Sequence, residues 1–283
     1  MHRHTTHAIL IVAHPGHEVR VHGWLASAQP QVCILTDGSG RTGPSRLDAA
    51  KAYLTAMGLS PGSIFGRFTD QAVYAALLKH DFTLFLRLTE EFAEMISDGV
   101  EWVVGDATEG YNSTHDVCRL LINAAIEMAK SSSDHQIKNF DFPVVSRPDT
   151  CPPSLRANAV WLHLDDTLFE HKLQAARAYY PELVAEVDAA LHGRGNSPLR
   201  SYLDINEQIN AGTERTGLDI FRVECLRPVH NGAAVEQTMP EQPFYEIHSE
   251  KQVAAGYYQR VIRYHEHIRP LAHALWKHVQ RSR

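Results

Sequence analysis

The chain has 283 residues, of which 44% are hydrophobic and 21% charged, and its formal net charge is −6. That length supports a sizeable core, while the acidic balance excludes the basic surface that nucleic-acid binding usually demands. No apolar run reaches the roughly 18–20 residues of a membrane-spanning helix. The four cysteines (Cys33, Cys118, Cys151 and Cys225) are scattered without a C-x-x-C pair, which points to a reducing, cytoplasmic setting and against a zinc knuckle.

In chain order, the opening residues lack the apolar stretch of a secretory leader; His2, His4 and His7 are expected in a frayed terminus. A run of strand-forming residues, Ala8 to Ala13, then ends in His14-Pro15-Gly16-His17-Glu18. Continuous apolar runs of this kind are buried parallel strands, and α/β sheets gather their chemistry at the carboxyl ends of such strands. Pro15 lacks the N–H needed to continue the ladder and Gly16 permits a sharp turn. Residues Glu18 to Ala28 are expected as a helix and Val32 to Thr36 as a second strand. The following loop, Asp37 to Gly43, is glycine-rich but has neither the lysine of a P-loop nor dinucleotide-fingerprint spacing; simple loop flexibility is the favoured reading.

A helix is expected over Ser45 to Met57, with Ser45 as N-cap and Gly58 as its stop. Ile64 to Phe68 reads as a third strand, and Gln71 to Ser97 as a long helix broken near His80-Asp81. Val100 to Val104 reads as a further strand. The helix from about His115 to Lys130 places Val117, Leu120, Leu121, Ala124, Ala125 and Met128 at helical spacing. This alternation predicts an α/β, Rossmann-like, mainly parallel sheet flanked by helices, forming one domain with a core over 8–130 and a completing, lid-like portion over 155–283. Ser131 to Pro153 is expected as a loop or a boundary, Ala159 to Leu164 as a strand, and Asp166 to His192 as a long helix bent or interrupted by Pro181. Arg194 to Gly217 is expected as an insertion or lid, Phe221 to Leu226 as a late strand, and Ser249 to Val279 as helix broken by Pro270.

His115 follows the strand ending at Val104, so in a parallel sheet it opens on the same edge as His14 and His17. Three such ligands with a vacant position describe a hydrolytic zinc centre. His265, His267, His273 and His278 are expected on a solvated or interfacial terminal helix instead. Arg20, Arg41 and Arg46 are candidates for an anionic part of a substrate; Tyr111 and Trp24 are candidates to stack on a sugar ring.

At this point the chain resembles the PIG-L/LmbE-like deacetylases, which remove acetyl groups from N-acetylated amino sugars. Ala13-His14-Pro15-Gly16-His17-Glu18 stands where that family has A-H-P-D-D-E, and Thr36-Asp37-Gly38-Ser39-Gly40 loosely follows its T-x-G-x-x-G loop. Arg46 to Gly58 resembles its R-x-x-E-x-x-x-A-x-x-x-L-G helix, with Ala49 in place of the glutamate. Asn112-Ser113-Thr114-His115 stands at its H-P-D-H. The resemblance implies Zn2+, or another divalent metal, held by His14, His17 and His115. It also implies an amide hydrolase for a small molecule, an N-acylated sugar or conjugate, with no nucleic acid or membrane span involved; self-association as a homo-oligomer stays open. His17 replaces the family's aspartate ligand. The family's general-base aspartate falls on Gly16, and its intermediate-stabilising histidine on Asn112, whose amide can still donate to an oxyanion. Asp106, Glu18 and Asp116 are the candidates to replace the base, with Asp106 also a candidate partner for a metal-bound histidine. The alternative is a catalytically inactive or altered-chemistry family member that acts as a sugar- or metabolite-binding protein.

Overall fold

The computed structural model describes residues 7–40, 43–132, 136–194, 196–205, 217–229 and 242–282. Seven strands form one sheet in the order β3-β2-β1-β4-β5-β7-β6. These are β1 (Ala8–Val12), β2 (Gln31–Thr36), β3 (Pro61–Phe68), β4 (Trp102–Asp106), β5 (Lys138–Phe142), β6 (Val160–His163) and β7 (Val223–Pro228). The first five run parallel, with Ile11 opposite Cys33 on one side and Gly105 on the other. β7 is antiparallel to both β5 and β6. The mixed α/β architecture expected from the alternation of elements is the one observed.

Every residue of β1 is buried because its side chains serve two helical layers by turns. Ile9 and Ile11 pack with Phe85, Phe92, Val117, Leu121 and Leu275, whereas Leu10 and Val12 pack with Trp24, Leu25, Tyr53, Leu54 and Tyr180. The first layer holds α3 (Asp70–Lys79), α4 (Thr83–Ser97), α5 (Ser113–Ser132) and the C-terminal helix α10 (Arg269–Ser282). The second holds α1 (His22–Ala28), α2 (Leu47–Ala56) and α6 (Asp166–Tyr179). α7 (Pro181–Leu191), α8 (Pro198–Ile205) and α9 (Phe244–Ala254) complete the helices among the described residues. None of them is long and apolar enough to cross a membrane. All four cysteines are free and buried.

Several elements depart from the sequence expectation. The chain after Gly16 winds first as a 3-10 turn, His17–Val21, before α1 begins. α2 starts at Leu47, with the Ser45 hydroxyl accepting from its N–H at 3.2 Å. The long helical stretch does break where expected, into two helices separated at His80, which adopts a left-handed φ of 54°. β5 lies inside the segment expected to be loop: its alternating Lys138-Asn139-Phe140-Asp141-Phe142 is an edge-of-core pattern, and it is masked in sequence by polar neighbours. Pro181 opens α7 and Pro270 sits in the first turn of α10, the helical positions that tolerate a missing N–H. Within the expected lid, 198–205 is helical; 206–216 lies outside the described residues.

Because β1 stands between β2 and β4, the chain reverses its direction of strand addition there. The loops leaving β1 and β4 therefore diverge to opposite faces and open a crevice at their carboxyl ends. Close approach at this point needs Gly105, where a Cβ would lie 2.4 Å from the Ile11 carbonyl oxygen. The buried guanidinium of Arg119 ties this edge together, donating to the carbonyls of Asp106 (2.6 Å) and Phe140 (3.2 Å) and to Asn139 Oδ1 (3.1 Å).

Candidate active site

At the β1 end, Gly16 turns the chain with φ of 105°, a conformation that L side chains rarely adopt. The turn brings His17 back beside His14. His115 enters from the first turn of α5, beyond β4. The three imidazole centroids lie 5.3 Å (His14–His17), 5.1 Å (His14–His115) and 4.5 Å (His17–His115) apart.

Hydrogen bonds fix how these rings face one another. The Thr36 hydroxyl gives its single proton to the Ala13 carbonyl at 3.1 Å, so it accepts from His14 Nδ1 at 2.7 Å. His14 thus carries its proton on Nδ1, leaving the Nε2 lone pair buried and without a hydrogen-bond partner. Asp70 reinforces this arrangement, with Oδ1 3.1 Å from the same Nδ1. His17 Nδ1 donates to Asp106 Oδ2 at 2.9 Å, which frees its Nε2 in the same way. His115 Nδ1 is likewise buried and unpartnered.

Burial pushes His17 and His115 well below the ordinary histidine pKa, and the other imidazoles nearby add to the effect. Both are therefore neutral near pH 7, the form that ligates metals. Burial alone would raise the Asp70 carboxyl, but the adjacent His14 and the hydrogen bond from the Gly40 N–H help outweigh it and hold it at about 2. Asp106 is pushed up by burial, opposed by His115 and by the Ala13 N–H that donates to Oδ2 at 2.8 Å.

The other carboxylates expected near the site are turned to structural tasks. Glu18 is wholly buried; it accepts from the Gly16 N–H at 2.7 Å and from the Tyr180 hydroxyl. Burial raises its pKa, and the Tyr180 hydrogen bond opposes that. Asp116 accepts from the N–H groups of Glu109 and Gly110, each at 3.3 Å, and burial lifts it to about 8. Neither of these, nor Asp106, lines the cavity in front of the histidines. Asn112 does line it, while its Oδ1 caps α5 by accepting from the Thr114 N–H at 2.8 Å.

Of the remaining candidates, Arg20, Arg46 and Tyr111 line the cavity. Trp24 is core, with its backbone N–H held by Glu224 at 3.0 Å. His2, His4 and Arg41 lie outside the described residues, and His7 is exposed. His267 is buried, contrary to expectation, because its Nδ1 accepts from the Arg263 N–H at 2.9 Å where the chain enters α10. In the glycine-rich loop, Asp37 takes the Ser39 N–H, Asp70 the Gly40 N–H and Ser39 the Gly43 N–H, so these groups are not free to cradle an anion.

Several site residues escaped the sequence reading. Thr36 and Asp70 stand just at and just beyond the ends of β2 and β3, where a strand-end rule would have found them. Glu109 clasps the loop after β5, accepting from the N–H groups of Val144, Val145 and Ser146 at 2.8–2.9 Å. Tyr180 and Lys172 reach the cavity from α6 and its end. Lys172 Nζ is paired with Glu224 at 2.9 Å in a buried contact. No sequence signal joins those two residues, which are brought together only when β7 docks.

The cavity has a volume of about 360 Å³. Its histidine end carries Asn112, Arg46 and Tyr180, and its other walls come from the loop after β5, α6, α7, α8 and the turn at 217–222. No protein-family profile matches the chain, and no curated protein matches it. Among solved structures it is similar to the zinc-inhibited form of teicoplanin deacetylase Orf2, at 15% identity over 79% of this chain and 97% of that one, with a TM-score of 0.47. A deacetylase triple mutant of the teicoplanin biosynthetic pathway is 17% identical over 79% of this chain and 97% of its own, with a TM-score of 0.48. The deacetylase–teicoplanin complex is 14% identical over 79% and 98%, with a TM-score of 0.46.

Three imidazoles bound tetrahedrally at about 2.0–2.1 Å would place their ring centroids about 5 Å apart. The observed spacing meets that requirement; the orphaned Nε2 of His14 is a buried lone pair that a cation would satisfy, and the Nδ1 of His115 is a second buried nitrogen without a partner. Disposed as they are, however, no three His, Cys, Asp or Glu donors among the described residues yet define a common metal position.

Proposed function

We propose that the protein is a metal-dependent amide hydrolase acting on an N-acylated small molecule, with His14, His17 and His115 holding a zinc ion. One observation carries this reading: three clustered imidazoles, two of them locked by Thr36 and Asp106 in the tautomer that leaves Nε2 free, lining a cavity. Such an ion supplies Lewis acidity, polarising a carbonyl and lowering the pKa of water. The chain's own residues hold and orient. Asp106 and Thr36 fix the rings, in the manner of carboxylate–histidine pairs at metal sites. Asn112 is the neutral amide lining the cavity near His115, suited to donate to an acyl oxygen. Tyr180 and Gly16 line the cavity and both donate to Glu18, which does not line it itself.

A second reading is supported by the carboxylates. Gly16 offers no side chain, and the space where one would project is filled by Leu183, 2.6 Å from the position of a Cβ. On this reading the scaffold binds an N-acylated ligand without cleaving it. Elemental analysis of purified protein beside His17→Ala, followed by amine release from a panel of N-acyl substrates, separates the two. About one zinc per chain that is lost in the variant, together with amine release, supports the hydrolase. Zinc without turnover supports the binding protein, and failure to take up metal even when zinc is offered sinks the hydrolase.

A further inference from the structure

Beyond the histidines the cavity changes character. Its other walls are largely aliphatic: Leu173 on α6, Val184 and Val187 on α7, Leu199 and Leu203 on α8, and Leu218 in the turn before β7. All six are half-buried: each packs partly on a buried apolar cluster and also lines the cavity. The aromatic faces nearby are already engaged. Tyr111 stacks on Phe244 with centroids 5.5 Å apart, and the Arg20 guanidinium lies 4.6 Å from the Phe221 ring. Most charged groups at the border are also committed, Lys172 to Glu224 and Arg147 to Asp149. Glu186 and Tyr180 also line the cavity, but aliphatic side chains outnumber such groups on these walls, so they offer few partners to sugar hydroxyls.

We infer that this chamber receives an unbranched aliphatic chain whose polar end lies at the histidines, so that the ligand is a medium-chain N-acyl compound and not an N-acetyl one. The inference rests on the amide-hydrolase reading for the identity of the polar end, but the chamber itself stands on its lining. A cavity of about 360 Å³ lies within the usual range for small-molecule sites, about 300–1,000 Å³. At about 30 Å³ for each methylene-sized group, a chain of eight to ten carbons takes roughly 240–300 Å³, which the cavity as a whole, histidine end included, accommodates. A flexible chain with no hydrogen-bonding needs is the occupant that such a wall satisfies without stranding a polar group.

The test is calorimetric binding of butyrate, hexanoate, octanoate and decanoate to chelator-treated, metal-free protein. Burial of each added methylene should tighten binding about threefold to fourfold up to the capacity of the chamber. Val187→Trp, which fills the chamber from α7, should abolish the gain with chain length while leaving the circular-dichroism spectrum intact. If that variant does not fold, Leu199→Trp blocks the chamber from α8. Affinity that does not change with chain length, or a folded blocking variant that keeps the full gain, would overturn the inference. Because the titration uses metal-free protein, the absence of zinc uptake or hydrolysis would count against the catalytic reading alone. A zinc-loaded, active protein with no chain-length dependence would refute only the chamber.

Discussion

Asp106 offers the sharpest test of how the histidine cluster is held. One oxygen, Oδ2, accepts both the Ala13 N–H at 2.8 Å and His17 Nδ1 at 2.9 Å. In Asp106→Asn the amide oxygen can take over both bonds, but they lose the charge that makes such bonds roughly twice as strong. The new amide nitrogen must then occupy the place of Oδ1, a buried atom without a partner. Partners of metal-bound histidines typically contribute 10–100-fold in metal affinity, or about 1.4–2.7 kcal/mol. Zinc affinity of the variant should fall by that factor in competition with a chromophoric chelator at pH 7.5. Asp106→Ala goes further, because it strands two buried N–H groups at about 1–3 kcal/mol each, and its metal-free form should lose about 2–6 kcal/mol in urea unfolding. Zinc affinity within twofold of wild type in the Asn variant would refute the assigned role of Asp106. A loss under about 1 kcal/mol in the Ala variant would refute the buried network itself.

Three further outcomes are expected. Glu224→Gln should cost about 3–5 kcal/mol in urea unfolding, since it leaves Lys172 buried without its counter-charge. The double variant with Lys172→Met should recover much of that loss, and additive losses would show that the pair is not coupled. His22, next to Tyr53, is pushed down to about 4 by burial and then by Lys172 and His171. Between its ordinary value of 6.5 and about 4, the unfolded chain binds a proton that the folded one does not, so stability falls as pH falls through that window. His22→Gln should flatten the slope by up to about 1.4 kcal/mol per pH unit, measured by denaturation at several pH values; an unchanged slope would assign the effect elsewhere. Gly16→Asp should destabilise by about 1–3 kcal/mol, from its φ of 105° and the overlap with Leu183. Adding Leu183→Ala should restore part of that in thermal melts, and no restoration would mean that the strain is in the backbone alone.

The parallel half of the sheet was legible because buried parallel strands announce themselves as continuous apolar runs, as in Ala8 to Val12. The same rule placed His14, His17 and His115 on one edge, and there the structure clusters them. What stayed hidden was of two kinds. β5 has an alternating, partly polar sequence and gains its identity by pairing with β4 and β7. Thr36, Asp70, Tyr180 and Glu224 are ordinary polar residues whose tasks depend on contacts across tens to hundreds of positions, a distance over which periodicity carries no information. Asp106 was legible as a strand-end carboxylate, but only the hydrogen bond to His17 decides which of its possible tasks the geometry favours.

β7 runs against its neighbours, and that orientation has a kinetic consequence. Its first residues arrive at the edge where the histidines gather, and Glu224 grips the N–H groups of Gly23 and Trp24 across some 200 positions of chain. Contacts this distant close large loops, so they form late. A growing chain can assemble β1 to β5 with all three imidazoles well before the chamber beside them has its last wall. In a refolding experiment, the appearance of the chamber should lag behind the appearance of the sheet.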